Sequence, residues 1–228
     1  MIDLWHLTDI DWLGSISAEN AETLRQSADL LTIAQGEQVF GPEPNPDKVY
    51  VLESGMIRVF RESREAEEVT FGFVKPGEIF GESVLFSNQS RDSRAVAVEP
   101  SVVIAIDKNE FKPIMKQTPR ICCSLVRQID GRFRDIETRV EDLVFRTARN
   151  RLASVLLQLA NRFGRPDNGE VILPFQLTHK ELAALIGTSR PTASLAINEL
   201  EESSLIGRRG KHFVIGDIAG LEDALEYL

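Results

Sequence analysis

The side chains best suited to grip a polyanion lie near the C-terminal end of this 228-residue sequence, in the stretch TSRPTASLAINEL at residues 188–200. Ser189 is placed to cap a helix by accepting a hydrogen bond from a first-turn amide. Arg190 follows with a two-pronged donor that matches guanine O6 and N7, and Thr192 and Ser194 add short hydroxyls able to reach phosphates or thymine methyls. Pro191 costs little here, because an N–H in the first turn has no helical partner anyway. Downstream, Arg208, Arg209 and Lys211 form a basic triplet around Gly210; upstream, Thr178 and Lys180 stand at the start of another helical pattern. Both groups are candidate phosphate contacts.

Other chemistry is poorly provided for. The three histidines are scattered, and no Ser/His/Asp, Cys/His or paired-carboxylate arrangement has workable spacing, so no enzyme is expected. Cys122 and Cys123 are adjacent, which suits neither an intrachain disulfide nor a zinc or iron–sulfur site. They read either as a redox pair or as small packing residues of a helix. With 43% hydrophobic and 27% charged residues the composition is that of a globular protein. No apolar run approaches membrane-spanning length, and the N-terminus MIDLWHLTDIDWL lacks the basic region of a signal peptide, so a cytoplasmic protein with no membrane partner is expected.

A net charge of −9 argues at first against a nucleic-acid partner, whose affinity rests on neutralised phosphates. Its distribution reverses that reading. Residues 146–228 hold 10 Lys and Arg against 10 Asp and Glu, whereas residues 1–145 hold 16 against 25, so the C-terminal part is neutral and free to carry a basic face.

The elements that must position these residues follow from pattern. SAENAETLRQSAD reads as a short helix capped by Ser17. Between about Leu30 and Asp107, short apolar or alternating runs (KVYVLES, MIRVFRE, EVTFGFV, RAVAVE, VVIAID) are separated by turn signals, which predicts a small antiparallel barrel or sandwich with no helix inside it. Asp107 can cap a helix through KNEFKPIMKQ, and Thr118-Pro119 opens a much longer one. Along it Cys122, Val126, Ile129, Phe133, Ile136, Val140 and Leu143 fall at alternating spacings of four and three, an a/d seam. Between them Arg127, Arg132, Arg134, Asp135, Glu137, Arg139, Glu141 and Asp142 suggest a solvated opposite face. Either this helix lies on the barrel or it pairs with its own copy; a homodimer is the favoured reading. After it, ARNRLASVLLQLANRFG reads as a helix with Gly164 at C′, RPDNG as a loop and EVILPFQL as an extended segment. Thr178-His179-Lys180-Glu181 matches a capping box, Gly187 breaks that helix, and the stretch from Thr188 begins the next. A hairpin around Arg209-Gly210 and a closing helix IAGLEDALEYL complete the chain. Helix, glycine turn, helix and hairpin make a winged helix-turn-helix, in which the first helix braces a second that enters the major groove. Ile197 and Leu200 supply its inner packing; Leu195 either joins them or faces solvent. The expected class is α+β: a sensor domain at 1–117, a dimerisation helix at 118–145 and a DNA-binding domain at 146–228.

This order of parts, with PGEIFGESVLF in the barrel and LTHKELAALIGTSRPTASLAINELEESSLI in the reader, resembles the cyclic-AMP receptor protein / fumarate-nitrate reductase regulator (Crp/Fnr) family over nearly the whole chain. The resemblance implies a dimeric bacterial transcription factor that binds a two-fold symmetric duplex site and contacts RNA polymerase. Its effector, bound in the barrel against the long helix, would change the placement of the two reading heads. In cyclic-AMP-binding members a Gly-Glu pair offers its Glu to the ribose, and an Arg-Ser pair further on meets the cyclic phosphate. Gly81 and Glu82 match the first, with Ser83 beside them a further pocket candidate, and Arg91 matches the arginine if the intervening turn is one residue shorter, but Asp92 replaces the serine. A carboxylate about 4 Å from a phosphate costs on the order of 1–4 kcal/mol. The Thr-Ser pair that contacts adenine appears as Ile136-Glu137. Cyclic AMP is therefore not the expected effector, and Glu82 with Arg91 is open to a second role as an ion pair inside an empty barrel. No iron–sulfur cluster is expected, since no cysteine precedes Cys122. GEIFGESVLFS lacks the histidine of haem-binding relatives, leaving His6 as the one candidate ligand in the sensor half, with a structural or exposed role as the alternative. The best-known member follows its reading Arg with Glu and sets a second Arg one turn on; Pro191 and Leu195 stand there, so a different operator is implied, read by Arg190, hydroxyls and DNA shape. The competing function class is a nucleotide-binding-type scaffold whose wing docks proteins rather than DNA.

Overall fold

The structure, a computed structural model, describes residues 12–87 and 89–226; His6, the candidate haem ligand, lies outside them. The chain forms two bodies, Met1–Arg61 with Gly72–Arg132, and Glu62–Phe71 with Phe133–Leu228.

In the first body, helix α1 (Ala18–Ser27) is capped by Ser17, whose Oγ accepts from the Asn20 amide at 3.1 Å. Eight strands follow, β1 (Asp29–Ile33), β2 (Gln38–Phe40), β3 (Lys48–Ser54), β4 (Ile57–Glu62), β5 (Glu68–Val74), β6 (Ile79–Phe80), β7 (Arg94–Ala97) and β8 (Ser101–Asp107). They make two four-stranded sheets, β1-β8-β3-β6 and β2-β7-β4-β5. Of the barrel or sandwich expected, the strands make a sandwich of two sheets. Strands as short as β2 and β6 cannot carry a continuous ladder from one sheet to the other.

The period-two geometry of strands explains the unbroken apolar runs of β3 and β8. Val49, Val51, Ile104 and Ile106 face one core, shared with Leu24, Phe111, Ile114 and Leu125 of the helices. Tyr50, Leu52, Val103 and Ala105 face the other, between the sheets, with Phe40 and Phe80. Strands covered on both faces lose the polar alternation of half-exposed ones. A four-residue helix, α2 (Ser83–Phe86), interrupts the stretch expected to be free of helix, because Val84 and Leu85 must both be buried and a single turn turns them inward together.

Helix α3 (Lys108–Gln117) is capped by Asp107, whose Oδ1 accepts from the Asn109 amide at 2.7 Å. Helix α4 runs Pro119–Phe145. Its first turns bury Ile121 and Leu125, and Cys122 packs partly buried against the same core. Cys122 therefore does not belong to the seam assigned to it.

The second body carries α5 (Ala148–Phe163), β9 (Arg165–Asp167), β10 (Glu170–Gln176), α6 (His179–Ile186), α7 (Arg190–Glu202), β11 (Ile206–Arg209), β12 (His212–Ile215) and α8 (Ile218–Glu226). The segment read as a loop is a hairpin. Asn168 and Gly169, both at positive φ, make the two-residue turn between β9 and β10. The sheet order is β11-β12-β10-β9, so the wing has four strands. Gly164 is not a left-handed C′ residue: its φ is −62°, and it is glycine because a Cβ would lie 2.3 Å from Val171 Cγ1 and 2.4 Å from the Ala160 carbonyl oxygen. Among the described residues no helix is long and apolar enough to cross a membrane.

Candidate functional site

The reading edge is built by two capped helices meeting at a tight turn. Thr178 and Glu181 form a complete capping box on α6, with the Glu181 amide donating to Thr178 Oγ1 at 3.2 Å and the Thr178 amide donating to Glu181 Oε2 at 2.8 Å. Gly187 ends α6 in the left-handed region at φ +62°, which favours glycine, and reverses the chain into α7. Ser189 caps α7, accepting from the Thr192 amide at 3.4 Å while its Oγ sits 2.9 Å from Thr192 Oγ1. Ala193, Ala196, Ile197 and Leu200 turn into the core. Pro191, Leu195 and Asn198 occupy the opposite, solvent-facing side. Leu195 therefore takes no part in inner packing.

The basic residues divide into two groups. Arg190 and Lys211 are exposed, and among the described residues neither side chain has a hydrogen-bond or ion-pair partner. The others are held. Lys180 Nζ lies 2.5 Å from Glu68 Oε1. Arg208 donates from Nε to Glu201 Oε1 at 3.0 Å and stacks 4.2 Å over the Phe213 ring. Arg209 bonds Asp167, and Glu170 Oε2 at 2.8 Å. Exposed pairs of this kind contribute little to stability, and their arginines remain available to exchange partners.

His179, which sequence reasoning passed over, ties the two helices to the wing. Arg208 Nη2 stands 2.9 Å from its Nε2 and Ser194 Oγ 2.8 Å from its Nδ1. Arginine can only donate, so Nε2 accepts, Nδ1 carries the proton, and Ser194 passes its own hydrogen to the Arg190 carbonyl at 3.0 Å. Ser194 is accordingly anchored inward. Burial, then Arg208 and Arg190, hold the imidazole below its usual pKa, against a smaller opposing pull from Glu201. A histidine with a depressed folded pKa contributes stability that is complete above the unfolded value, about 6.5, and is lost as pH falls through the folded value. Urea unfolding at pH 7.5 and 5.5 should therefore show a loss at the lower pH that shrinks in His179→Gln; an equal loss in both proteins would contradict this assignment. The one signal for His179 in the sequence was its place as first residue of the capped helix.

A second cluster lies in the first body. Arg91 is only 3% exposed, its guanidinium 4.1 Å over the Phe40 ring. Nη2 donates to the carbonyls of Lys48 at 2.8 Å and Gly81 at 3.4 Å, and Nη1 lies 3.7 Å from Glu43 Oε2. Among the described residues Nε and Nη1 have no hydrogen-bond partner. Glu82 does not pair with Arg91; it receives Arg132 Nη1 of α4 at 3.3 Å. The expected internal ion pair is thus replaced by two separate ones. Asp92, 62% exposed at its side chain, stands 3.6 Å from Arg61 and does not share the buried environment of Arg91. Successive residues of an extended segment point to opposite sides, and Arg91 bridges Glu43 in such a segment. The charge clash argued from Asp92 loses its geometry. Ser83 is exposed at the start of α2.

Arg132 and Gln128 were the residues missed. Gln128 Oε1 accepts the Ile79 amide at 3.0 Å, and Arg132 Nη2 donates to the Ile79 carbonyl at 3.2 Å. In the second body Arg139 donates to the carbonyls of Thr70 at 2.5 Å and Phe71 at 2.6 Å. The side of α4 expected to be solvated thus carries Gln128, Arg132 and Arg139, which bond backbone groups of the strands; their long polar side chains on one helix were the available signal. Ile136 and Glu137 are exposed on the same helix. Beside them, Val126, Ile129, Phe133, Ile136, Val140 and Leu143 leave an apolar stripe open to solvent, with Val126 64%, Phe133 57% and Val140 56% exposed. Among the described residues no group of His, Cys, Asp and Glu is arranged to hold a metal ion.

Comparison with known proteins places these features in company. Residues 30–118 match the cyclic nucleotide-binding domain and residues 150–224 the Crp-like helix-turn-helix domain. The chain is 33% identical to the cyclic AMP receptor protein of Thermus thermophilus, over 75% of this chain and 76% of that one. It is 29% identical to the CRP-like cAMP-activated global transcriptional regulator of Mycobacterium tuberculosis, over 80% and 82%. A solved transcriptional regulator of the CRP/FNR family from Thermus thermophilus superposes with a TM-score of 0.71 at 25% identity, covering 87% of this chain and 98% of that one.

Proposed function

The chain belongs to the Crp/Fnr family of transcription regulators, and we propose that two copies join along the α4 stripe so that their α7 helices read the two halves of a symmetric duplex. It is a DNA-binding regulator under effector control, from a family of regulators rather than enzymes. The observation that carries the reading geometry is the exposed Arg190 at the capped start of α7, whose side chain has no partner among the described residues, with Lys211 likewise exposed on the wing. Half-sites of dimeric helix-turn-helix proteins lie about one DNA turn, roughly 34 Å, apart, and two α7 helices related by a two-fold axis would have to match that spacing. In this division of labour residues 1–117 sense, 118–145 pair and 146–228 read. The protein works in the cytoplasm and hands its signal to RNA polymerase. Selection from a randomised duplex pool tests this: the enriched DNA should be an inverted repeat with half-site centres about 10 base pairs apart. Enrichment of single half-sites, or of none, would refute it.

The effector is an anion other than cyclic AMP. The buried Arg91 guanidinium supports the anion: among the described residues its Nε and Nη1 make no hydrogen bond, and Glu43 Oε2 stands 3.7 Å from Nη1. Ile136 and Glu137, in place of the Thr-Ser pair that meets adenine, speak against cyclic AMP. A ligand at 100 times its dissociation constant stabilises the folded state by about 2.7 kcal/mol, a rise of several degrees in Tm. A thermal-shift panel of cyclic nucleotides, oxo-acids and haem should show such a rise with an anion and none with cyclic AMP; a rise with cyclic AMP would overturn this assignment. In Arg91→Ala the anion's rise should vanish.

A further inference from the structure

We propose that Leu195 is a specificity-determining residue of this reader, recognising the 5-methyl group of a thymine about two base steps from the guanine held by Arg190. The inference rests on the reading of α7 as a major-groove helix and adds the base it selects.

Leu195 is 63% exposed, although the helix that carries it buries four of its other apolar residues completely or nearly so. A leucine excluded from the core gains nothing by facing water. The residues around it decide what covers it. At 100° per residue, the pole of α7 opposite Ala193, Ala196, Ile197 and Leu200 is shared by Pro191, Leu195 and Asn198, with Glu202 following at the far, C-terminal end, all exposed. Pro191 and Leu195, one turn apart, make a continuous apolar edge with no charge between them. Asn198, the next residue on that face, presents an amide whose donor and acceptor match adenine N6 and N7. In the major groove the thymine methyl is the one apolar group a base edge offers. An apolar pair followed by an amide therefore fits A·T pairs, and Arg190 fits a G·C pair. Leu195 lies five residues beyond Arg190, about 7.5 Å along the helix axis. That distance spans about two steps of a DNA strand at 3.4 Å each.

A carboxylate or guanidinium at this position would demand a hydrogen-bonding edge and reject a methyl group. Leucine makes no hydrogen bond, so its contribution is read through methyl contact alone. Removing one buried methyl-sized group corresponds to about a four-fold change in affinity.

The experiment uses the full-length protein and the duplex it enriches from a randomised pool. Deoxyuridine replaces each thymine in turn, deleting only the methyl. At one position about two base pairs from the conserved guanine, the substitution should weaken binding by the native protein about four-fold and leave binding by Leu195→Ala unchanged, because the contact is already gone. Leu195→Met should restore sensitivity to that methyl. Equal sensitivity of native protein and Leu195→Ala at every position, or sensitivity at none, would overturn the proposal while leaving α7 as a DNA reader. A protein that enriches no duplex would overturn the reader itself. Leu195 is exposed and α7 tolerates alanine, so loss of fold is checked simply by an unchanged Tm.

Discussion

Phe133→Lys should convert the dimer to monomers at micromolar concentration and weaken binding to a symmetric DNA site by about 10²–10⁴-fold, the range that linked reading heads add over one head alone. Phe133 lies in the middle of a stripe whose other members, Val126, Ile129, Ile136, Val140 and Leu143, are likewise exposed in the single chain. Leaving so much contiguous apolar surface wet is costly, and a heptad spacing of four and three is the geometry by which two helices cover each other. In a two-fold pair each seam residue meets its own copy or a near neighbour, so one substitution introduces two ammonium groups at one level. Both would be dry and of like charge, the arrangement a seam tolerates least. Because Phe133 makes the stripe and not the core of either body, the substituted chain should still fold. Sedimentation velocity would show a halved mass with an unchanged far-ultraviolet spectrum. A persistent dimer would place the pairing surface elsewhere.

Arg190→Ala should cost about 1–3 kcal/mol on the preferred site, roughly a 5- to 150-fold loss, and should relax discrimination at a single G·C pair. Among the described residues this arginine has no internal acceptor, in contrast to Arg208 with Glu201 and Arg209 with Asp167 and Glu170. Its guanidinium is therefore free to form two parallel hydrogen bonds to guanine without breaking an existing pair. Lys211→Ala is the control. A lysine on phosphate carries no base information, so its loss should weaken binding evenly across sequences and lower the salt slope by about one. Competition binding against duplexes changed at one base pair separates the two results. An Arg190→Ala protein that weakens evenly on every sequence would move Arg190 from base edge to phosphate.

What could be read in the sequence was local. The capping box from Thr178 to Glu181, the caps at Ser17 and Asp107 and the break at Gly187 each depend on residues a few positions apart, and all four lie where their patterns placed them. The exposed apolar stripe of α4 was legible for the same reason, except at Cys122, where a spacing rule cannot say that the sensor core partly buries the first turn of α4. Asn168-Gly169 was legible and misjudged: a pair of turn residues strong enough to define a hairpin was absorbed into a loop because the strand before it is only three residues long. Gly164 illustrates another limit. Its role comes from the approach of Val171, a contact that exists only once β10 packs beside α5.

The sensor body was less legible because its polar residues choose partners across long sequence distances. Glu82 pairs with Arg132 and not with Arg91, and Arg91 reaches Glu43 and the Lys48 carbonyl. Nothing in the order of residues distinguishes these from the nearer pairing. Strand alternation could have corrected one error: adjacent residues point to opposite sides, so Asp92 need not share the surroundings of Arg91.

One titration decides whether this chain is a dimeric reader of symmetric DNA: anisotropy of a labelled duplex carrying the selected inverted repeat, and of the same duplex with one half scrambled, from 50 to 200 mM salt. One dimer should bind per intact duplex, log K should fall linearly with log salt, and scrambling one half should cost about 100-fold or more. Equal affinity for the intact and scrambled duplexes, with no dependence on salt, would contradict it.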